Sequence, residues 1–387
     1  MTNIELRKLV TESVKYPGTK QIPKASVCNE GFPGTFNLSF IESEWLKEYG
    51  GQYIDFDHDY IVSKIQPCIR YQDWETIKSD PVNRFRYLGV FEMASVTGMV
   101  SLVDGSKTDE AVSFSIENFY KFLTETVGLS SEKLRITYCR GGDVSHLTKG
   151  KYKFNKEVAE DFYIDEWKRM GIKESQFISD DTRDTLLALR IYGLSTPWGY
   201  RNEILYEHQG KLLDIGTFEY CKYRPIFKND EIVDLEKWEH ACVVSAVGIE
   251  RLLMAINGFA EITDCDHIKP IKEAILLEVK NKDEEQAIVL TEGLRTVHRI
   301  MSDCKGYENL SRKRKEKIRK ISNGIFDSAK KLGIEINDIF LKKILTLNSK
   351  LQSYYPELSD SIELVCQEIN ESKKRIEQKT DYGRVKK

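Results

Sequence analysis

Cys68-Ile69-Arg70 and Arg86-Tyr87-Leu88-Gly89-Val90-Phe91-Glu92-Met93 are the stretches whose reading decides the fold. Asp59 to Arg70 mixes β-branched and polar residues and is predicted to end in a strand over 65–69. A second strand is predicted over 87–94. Asp80-Pro81 between them is a turn signal, so the two strands read as an antiparallel hairpin. Two arginines then stand at its ends. A guanidinium is always charged and offers a rigid fork of donors suited to phosphate oxygens. Arg70 and Arg86 are candidates to hold a triphosphate, with Phe91 and Met93 facing a flat base. The alternative is a surface hairpin with solvated arginines.

Outward from the hairpin, helix is predicted over 3–14, and a loop rich in Gly and Pro over 16–34. Phe114, Phe119, Phe122, Leu123 and Val127 recur at helical spacing over 113–127. A strand follows over 134–139 and a helix over 156–170. Strands over 203–206 and 211–220 pair around His208-Gln209-Gly210. A strand over 241–245 runs into a helix over 248–256. Beyond Pro270 strand signals stop, and helices are expected over 272–282, 284–301, 312–331, 337–346 and 359–378. The fold class is α+β, an antiparallel sheet flanked by helices and followed by an all-helical domain. The expected division is 1–264, 265–355, and a C-terminal helix and polar tail over 356–387.

Composition narrows the function classes. The 387 residues are 41% hydrophobic and 31% charged, ordinary values for a globular protein. No apolar run is long enough for a membrane span, and Met1 to Val10 carries charges with no apolar stretch behind it. No membrane association and a cytoplasmic location are expected. The eight cysteines contain no C-x-x-C pair and sit in apolar segments, which fits reduced thiols. The six histidines are dispersed, so no zinc site is expected. Phosphate-loop and dinucleotide glycine motifs are absent.

The net charge of −3 hides an asymmetry. Residues 305–350 carry 13 basic and 5 acidic side chains, net +8, whereas residues 1–304 stand at −11. The densest part is Arg312, Lys313, Arg314, Lys315, Lys317, Arg319 and Lys320 on one predicted helix. Such segments attract nucleic-acid backbones through counterion release, although a solvated helix face is the commoner use. Gly248-Ile249-Glu250-Arg251 is a second candidate phosphate site, because a strand turning into a helix presents N–H donors beside Arg251.

Taken together, these segments resemble the catalytic core of alanyl-tRNA synthetase, a class II aminoacyl-tRNA synthetase. Cys68-Ile69-Arg70 and Val90-Phe91-Glu92-Met93 match the family's second motif, a Cys-Val/Ile-Arg start and a Phe-Phe-Glu-Met strand. Arg86 falls on a family arginine. Gly248-Ile249-Glu250-Arg251 matches the Gly-Leu-Glu-Arg end of the third motif. Pro197, Gly199, Glu203, Ile204 and Tyr206 are kept from a Pro-Cys-Gly-Pro-Cys-Ser-Glu-Ile-Phe-Tyr segment. The helices from Gly293 to Gly333 resemble the family's tRNA-binding domain more loosely. Nothing in these residues corresponds to the family's metal-binding editing domain.

The resemblance implies chemistry for named residues. Arg70 would contact the α-phosphate and substrate carboxylate, and Arg251 the distal phosphates of a bent ATP. Arg86 would assist, with Phe91, Glu92 and Met93 completing the nucleotide site. Asp214 and Glu219 are candidates for Mg²⁺, and Glu203 belongs to the substrate pocket. Arg312, Arg314, Lys317, Arg319 and Lys320 would meet tRNA, and a homodimer is an expected assembly.

The departures concern the substrate. The family's Asp, which pairs with the amino group of alanine, is here Val244, and a Trp-Asn pair is here Gly216 and Thr217. A different acid is therefore expected, or a charge supplied by Glu219 or Asp214. Three readings follow. They are an adenylating ligase that transfers to tRNA, an adenylating ligase that transfers to a carrier or small molecule, and a non-catalytic RNA-binding regulator.

Overall fold

The computed structural model describes residues 1–13, 19–29, 34–38, 60–101, 105–139, 161–180, 186–188, 198–228, 231–279 and 282–385. The strands among them are β1 (Lys20–Gln21), β2 (Tyr60–Cys68), β3 (Phe91–Ser101), β4 (Leu134–Tyr138), β5 (Phe177–Ser179), β6 (Leu186–Ala188), β7 (Trp198–His208), β8 (Lys211–Lys228) and β9 (Glu231–Gly248). The helices of the first part are α1 (Asn3–Ser13), α2 (Tyr71–Ser79), α3 (Gly105–Lys121), α4 (Asp161–Arg169) and α5 (Ile249–Asn257). Those of the second part are α6 (Lys269–Leu277), α7 (Glu284–Cys304), α8 (Arg312–Leu332), α9 (Asp338–Leu351), α10 (Pro356–Asp360) and α11 (Ile362–Val385). None of the described helices is long and apolar enough to cross a membrane.

The described strands form one sheet in the order β1-β2-β3-β9-β8-β7-β4-β5, with β6 on β7. From β2 to β4 every pairing along this path is antiparallel. The expected α+β architecture, an antiparallel sheet flanked by helices and followed by helices, is what the structure shows. Side chains alternate along a strand, which divides each strand between two faces. On β8, Phe218 points back into the core while Thr217 and Glu219 point forward. The back face carries Ala94, Ile204, Phe218 and Val243 and is covered by α1, α3, α4 and α5. Gln209 and Gly210 both have positive φ, 49° and 77°, and join β7 to β8 as a tight two-residue hairpin turn.

The β2–β3 pair is antiparallel, but its connection holds a helix rather than only a polar turn. Helix α2 escapes a periodicity reading because only Trp74 and Ile77 of its nine residues are buried. β3 begins at Phe91 rather than Tyr87, and β8 and β9 each run to 18 residues. Residues 156–160 of one expected helix, and parts of the 16–34 loop, lie outside the described residues.

A second core lies under α6 to α11. It also takes in Val27, Phe36, Ile69, Trp74, Ile77 and Val90 from the first part of the chain, and Val365, Cys366 and Ile369 from α11. Its packing therefore crosses both residue 264 and residue 355. Trp74 is the main joint. It is fully buried, and two glycines make room for it. A Cβ on Gly324 would come within 2.7 Å of the Trp74 ring, and one on Gly293 within 3.1 Å. These contacts set α2 against α7 and α8, and Arg70 caps the start of α2.

Trp74→Ala is expected to cost about 3–5 kcal/mol by emptying this joint. Urea unfolding of the variant measures the loss, and a change below about 1 kcal/mol would show that α2 is held elsewhere.

Candidate active site

One cavity of about 420 Å³ opens on the forward face of the sheet. It gathers Arg70, Arg86, Phe91, Met93, Glu203, Asp214, Gly216, Thr217, Glu219 and Arg251, which are far apart in sequence. Arg70 follows β2 and precedes the first turn of α2. Its Nε donates to the Leu38 carbonyl at 3.1 Å, and its guanidinium stands 5.0 Å from the centre of the Phe91 ring. Arg86 ends a single 3-10 turn and lies 5.3 Å from the Tyr87 ring. Arg251 belongs to the first turn of α5, where β9 ends at Gly248. Its Nη1 donates to Asp214 Oδ2 at 2.8 Å, and its Nε to the Arg86 carbonyl at 3.2 Å. A register shift between β7 and β8 near Asp214 accompanies this placement.

Asp73 completes this cationic mouth and was not singled out in the sequence. Burial pushes its carboxyl up, while Arg70, Arg251 and Arg86 pull it down. Its position, three residues after Arg70 on a helix start, is the signal that could have found it. Arg201 and Glu250 also line the cavity without having been expected to.

The floor has the opposite character. Glu203 pairs with Arg201 at 2.7 Å. Burial and the nearby Asp214 push the Glu203 carboxyl up to about 8, with Arg201 opposing. Burial pushes Glu219 up to about 7 despite Arg201. Glu219 is 3% exposed, and neither its Oε2 nor the Thr217 hydroxyl has a hydrogen-bond partner among the described residues. A buried carboxylate lacking a partner carries a large desolvation cost. The cavity thus offers guanidinium groups and an aromatic face at its mouth and acceptors at its floor. It suits a ligand that is anionic at one end and cationic at the other.

Three expectations change. The Glu92 side chain does not enter the cavity. It is buried on the other face of β3, bonded to Arg7, Tyr355 and Asn3. Val244 is fully buried and is not a lining residue, but it sits directly across the ladder from Glu219. Gly216 lines the cavity with backbone alone. A Cβ there would point toward Phe119 and Val247, so a bulky residue would lie behind the sheet. Asp214, one of the two candidates for Mg²⁺, is paired with Arg251.

The basic helix α8 is partly spent on structure. Arg314 is buried, donating to the Asn29 carbonyl and to the Thr35 carbonyl at 2.6 Å. Lys317 donates to the Gly34 carbonyl at 2.5 Å. Arg314 is therefore not an RNA-facing residue, whereas Arg312, Lys313, Arg319 and Lys320 remain exposed.

No family model matches the chain, and no curated protein matches it. Among solved structures it is similar to apo histidyl-tRNA synthetase of S. aureus, with 12% identity over 68% of this chain and 67% of that one, and a TM-score of 0.37. It is also similar to the RNA binding domain of threonyl-tRNA synthetase from Cryptosporidium parvum Iowa II. There the identity is 9% over 66% of this chain and 64% of that one, at a TM-score of 0.40. At these values neither substrate nor activity transfers from them.

The raised Glu219 carboxyl gives a pH test. Its folded value exceeds its unfolded one, so it lowers stability progressively as pH rises from about 4.5 through 7. Glu219→Gln should therefore stabilise the ligand-free protein by roughly 1–3 kcal/mol at pH 8 and leave it nearly unchanged at pH 4. Chemical denaturation at the two pH values checks this, and an equal effect at both would contradict it.

Proposed function

We propose that this cavity activates an amino acid by joining its carboxylate to the α-phosphate of ATP, releasing pyrophosphate. The observation that carries the reading is the convergence of Arg70, Arg86 and Arg251 on one cavity that Phe91 and Met93 also line. In this reading a carboxylate oxygen of the substrate attacks the α-phosphorus and the bond to the bridging oxygen breaks. Negative charge builds on the phosphoryl oxygens, and fixed guanidinium groups stabilise it without reorganising. Arg70 stands at the reacting phosphate, Arg251 and Arg86 at the leaving pyrophosphate, and Phe91 and Met93 at the adenine. Mg²⁺ enters only as the counter-ion that ATP carries.

Glu219 takes the substrate ammonium. It is the cross-strand neighbour of Val244, so the anion missing at 244 stands one strand away, on the same face. An ammonium there would supply the partner that its free oxygen lacks.

Exchange of labelled pyrophosphate into ATP, run over an amino-acid panel, tests this directly. At least one acid should support exchange, and Arg70→Ala should lower it by about 100-fold or more. Glu219→Val should abolish it, and Glu219→Val with Val244→Asp should restore part of it. No exchange with any acid would defeat the reading and leave a non-catalytic binding role.

The proposed acceptor is tRNA. Lys317 and Lys320 lie 5.9 and 5.8 Å from the ring of Tyr71, the residue after Arg70, which brings α8 close to the start of α2. The diversion of Arg314 and Lys317 into structural bonds favours a second reading, in which a carrier or small amine accepts the acyl group. Replacing Arg312, Arg319 and Lys320 together by Ala should weaken tRNA binding at least tenfold and flatten its salt dependence. Unchanged binding would favour the second acceptor.

A further inference from the structure

None of the eight cysteines is in a disulfide, and six of them are buried. The other two, Cys28 and Cys304, are partly exposed and pack against the same core. Independent contacts hold them together. The backbone N–H of Val27 donates to Asp303 Oδ2 at 2.7 Å, and Lys24 pairs with Asp303 at 3.0 Å. The residues next to each thiol are thus bonded before any covalent link exists. From this point a chain of bonds leads to the cavity. The Asn37 N–H donates to the Val27 carbonyl, the Ile69 N–H to the Asn37 carbonyl, and Arg70 Nε to the Leu38 carbonyl.

We infer that Cys28 and Cys304 form a reversible disulfide when the protein meets a peroxide, and that the bond fixes the segment which holds Arg70. The site takes a two-electron oxidant of the hydroperoxide class. One thiolate attacks the peroxide oxygen, giving a sulfenic acid and water. The second sulfur then attacks the first and expels another water, so two thiols and one hydrogen peroxide give one disulfide and two waters. Either sulfur can make the first attack, the other then resolving the sulfenic acid. A dithiol reverses the bond. Only the consequence for Arg70 chemistry rests on the adenylation reading, since the bond itself does not.

The test treats the full-length protein with hydrogen peroxide and maps it without reduction. A cross-linked peptide pair containing Cys28 and Cys304 is expected, reversed by dithiothreitol and absent in Cys28→Ser but present in Cys366→Ser. Hydrogen exchange at the Ile69 amide should slow at least tenfold in the oxidised form and return on reduction. Absence of the cross-linked pair would overturn the site. A cross-link with unchanged exchange at Ile69 would overturn the coupling to Arg70. Both readouts are independent of catalysis, so a protein without pyrophosphate exchange can still show the latch.

Discussion

A single buried carboxylate, Glu92, ties together the parts that build the cavity. Burial alone would push its carboxyl up, but Arg7, the Tyr355 hydroxyl and His267 outweigh that and hold it below the ordinary carboxylate range. It therefore stays ionised in the core and contributes stability that is lost only as pH falls through its lowered value. Arg7 comes from α1 and Tyr355 precedes α10, so one side chain joins the N-terminal helix, the sheet and the helical part. Removing one partner of such a buried pair typically costs about 3–5 kcal/mol.

The geometry of the cavity follows from this anchor. Alternation along β3 places Phe91 and Met93 on the opposite face from Glu92, so pinning Glu92 aims both at the cavity. The Glu92 N–H donates to Glu250 Oε2 at 2.9 Å. Glu250 precedes Arg251, so the same knot sets the start of α5 and the arginine bound to Asp214. Trp74 does the corresponding work for Arg70, fixing α2 between Gly293 and Gly324. Mouth and floor are then rigid elements, one presenting guanidinium groups and the other carboxyl groups whose ionisation burial resists, and such rigidity is what a preorganised site requires.

Much of this was legible in the sequence, and the misses have physical causes. Arg70, Arg86, Phe91, Met93 and Arg251 were singled out by residue type and position, and the cavity contains all five. Glu92 belonged to the same motif, yet a one-residue step along a strand reverses the face, and its partners Arg7 and Tyr355 are remote in sequence. Asp73 sat in a helix whose polar sequence hid it. Arg314 looked like one more cation in a basic run, and only the fold shows that two backbone carbonyls surround it. Val244 signalled a lost anion and Glu219 or Asp214 as its alternatives, and only the ladder shows that Glu219 is the one directly beside it.

The proposed chemistry depends most on the cavity being a triphosphate site. Isothermal titration of the protein with ATP measures this without assuming an amino acid or an acceptor. Saturable binding in the micromolar to millimolar range is expected, weakened at least tenfold by Arg251→Ala and unaffected by Arg312→Ala. Failure to bind ATP at millimolar concentration, or equal affinity in Arg251→Ala, would contradict it.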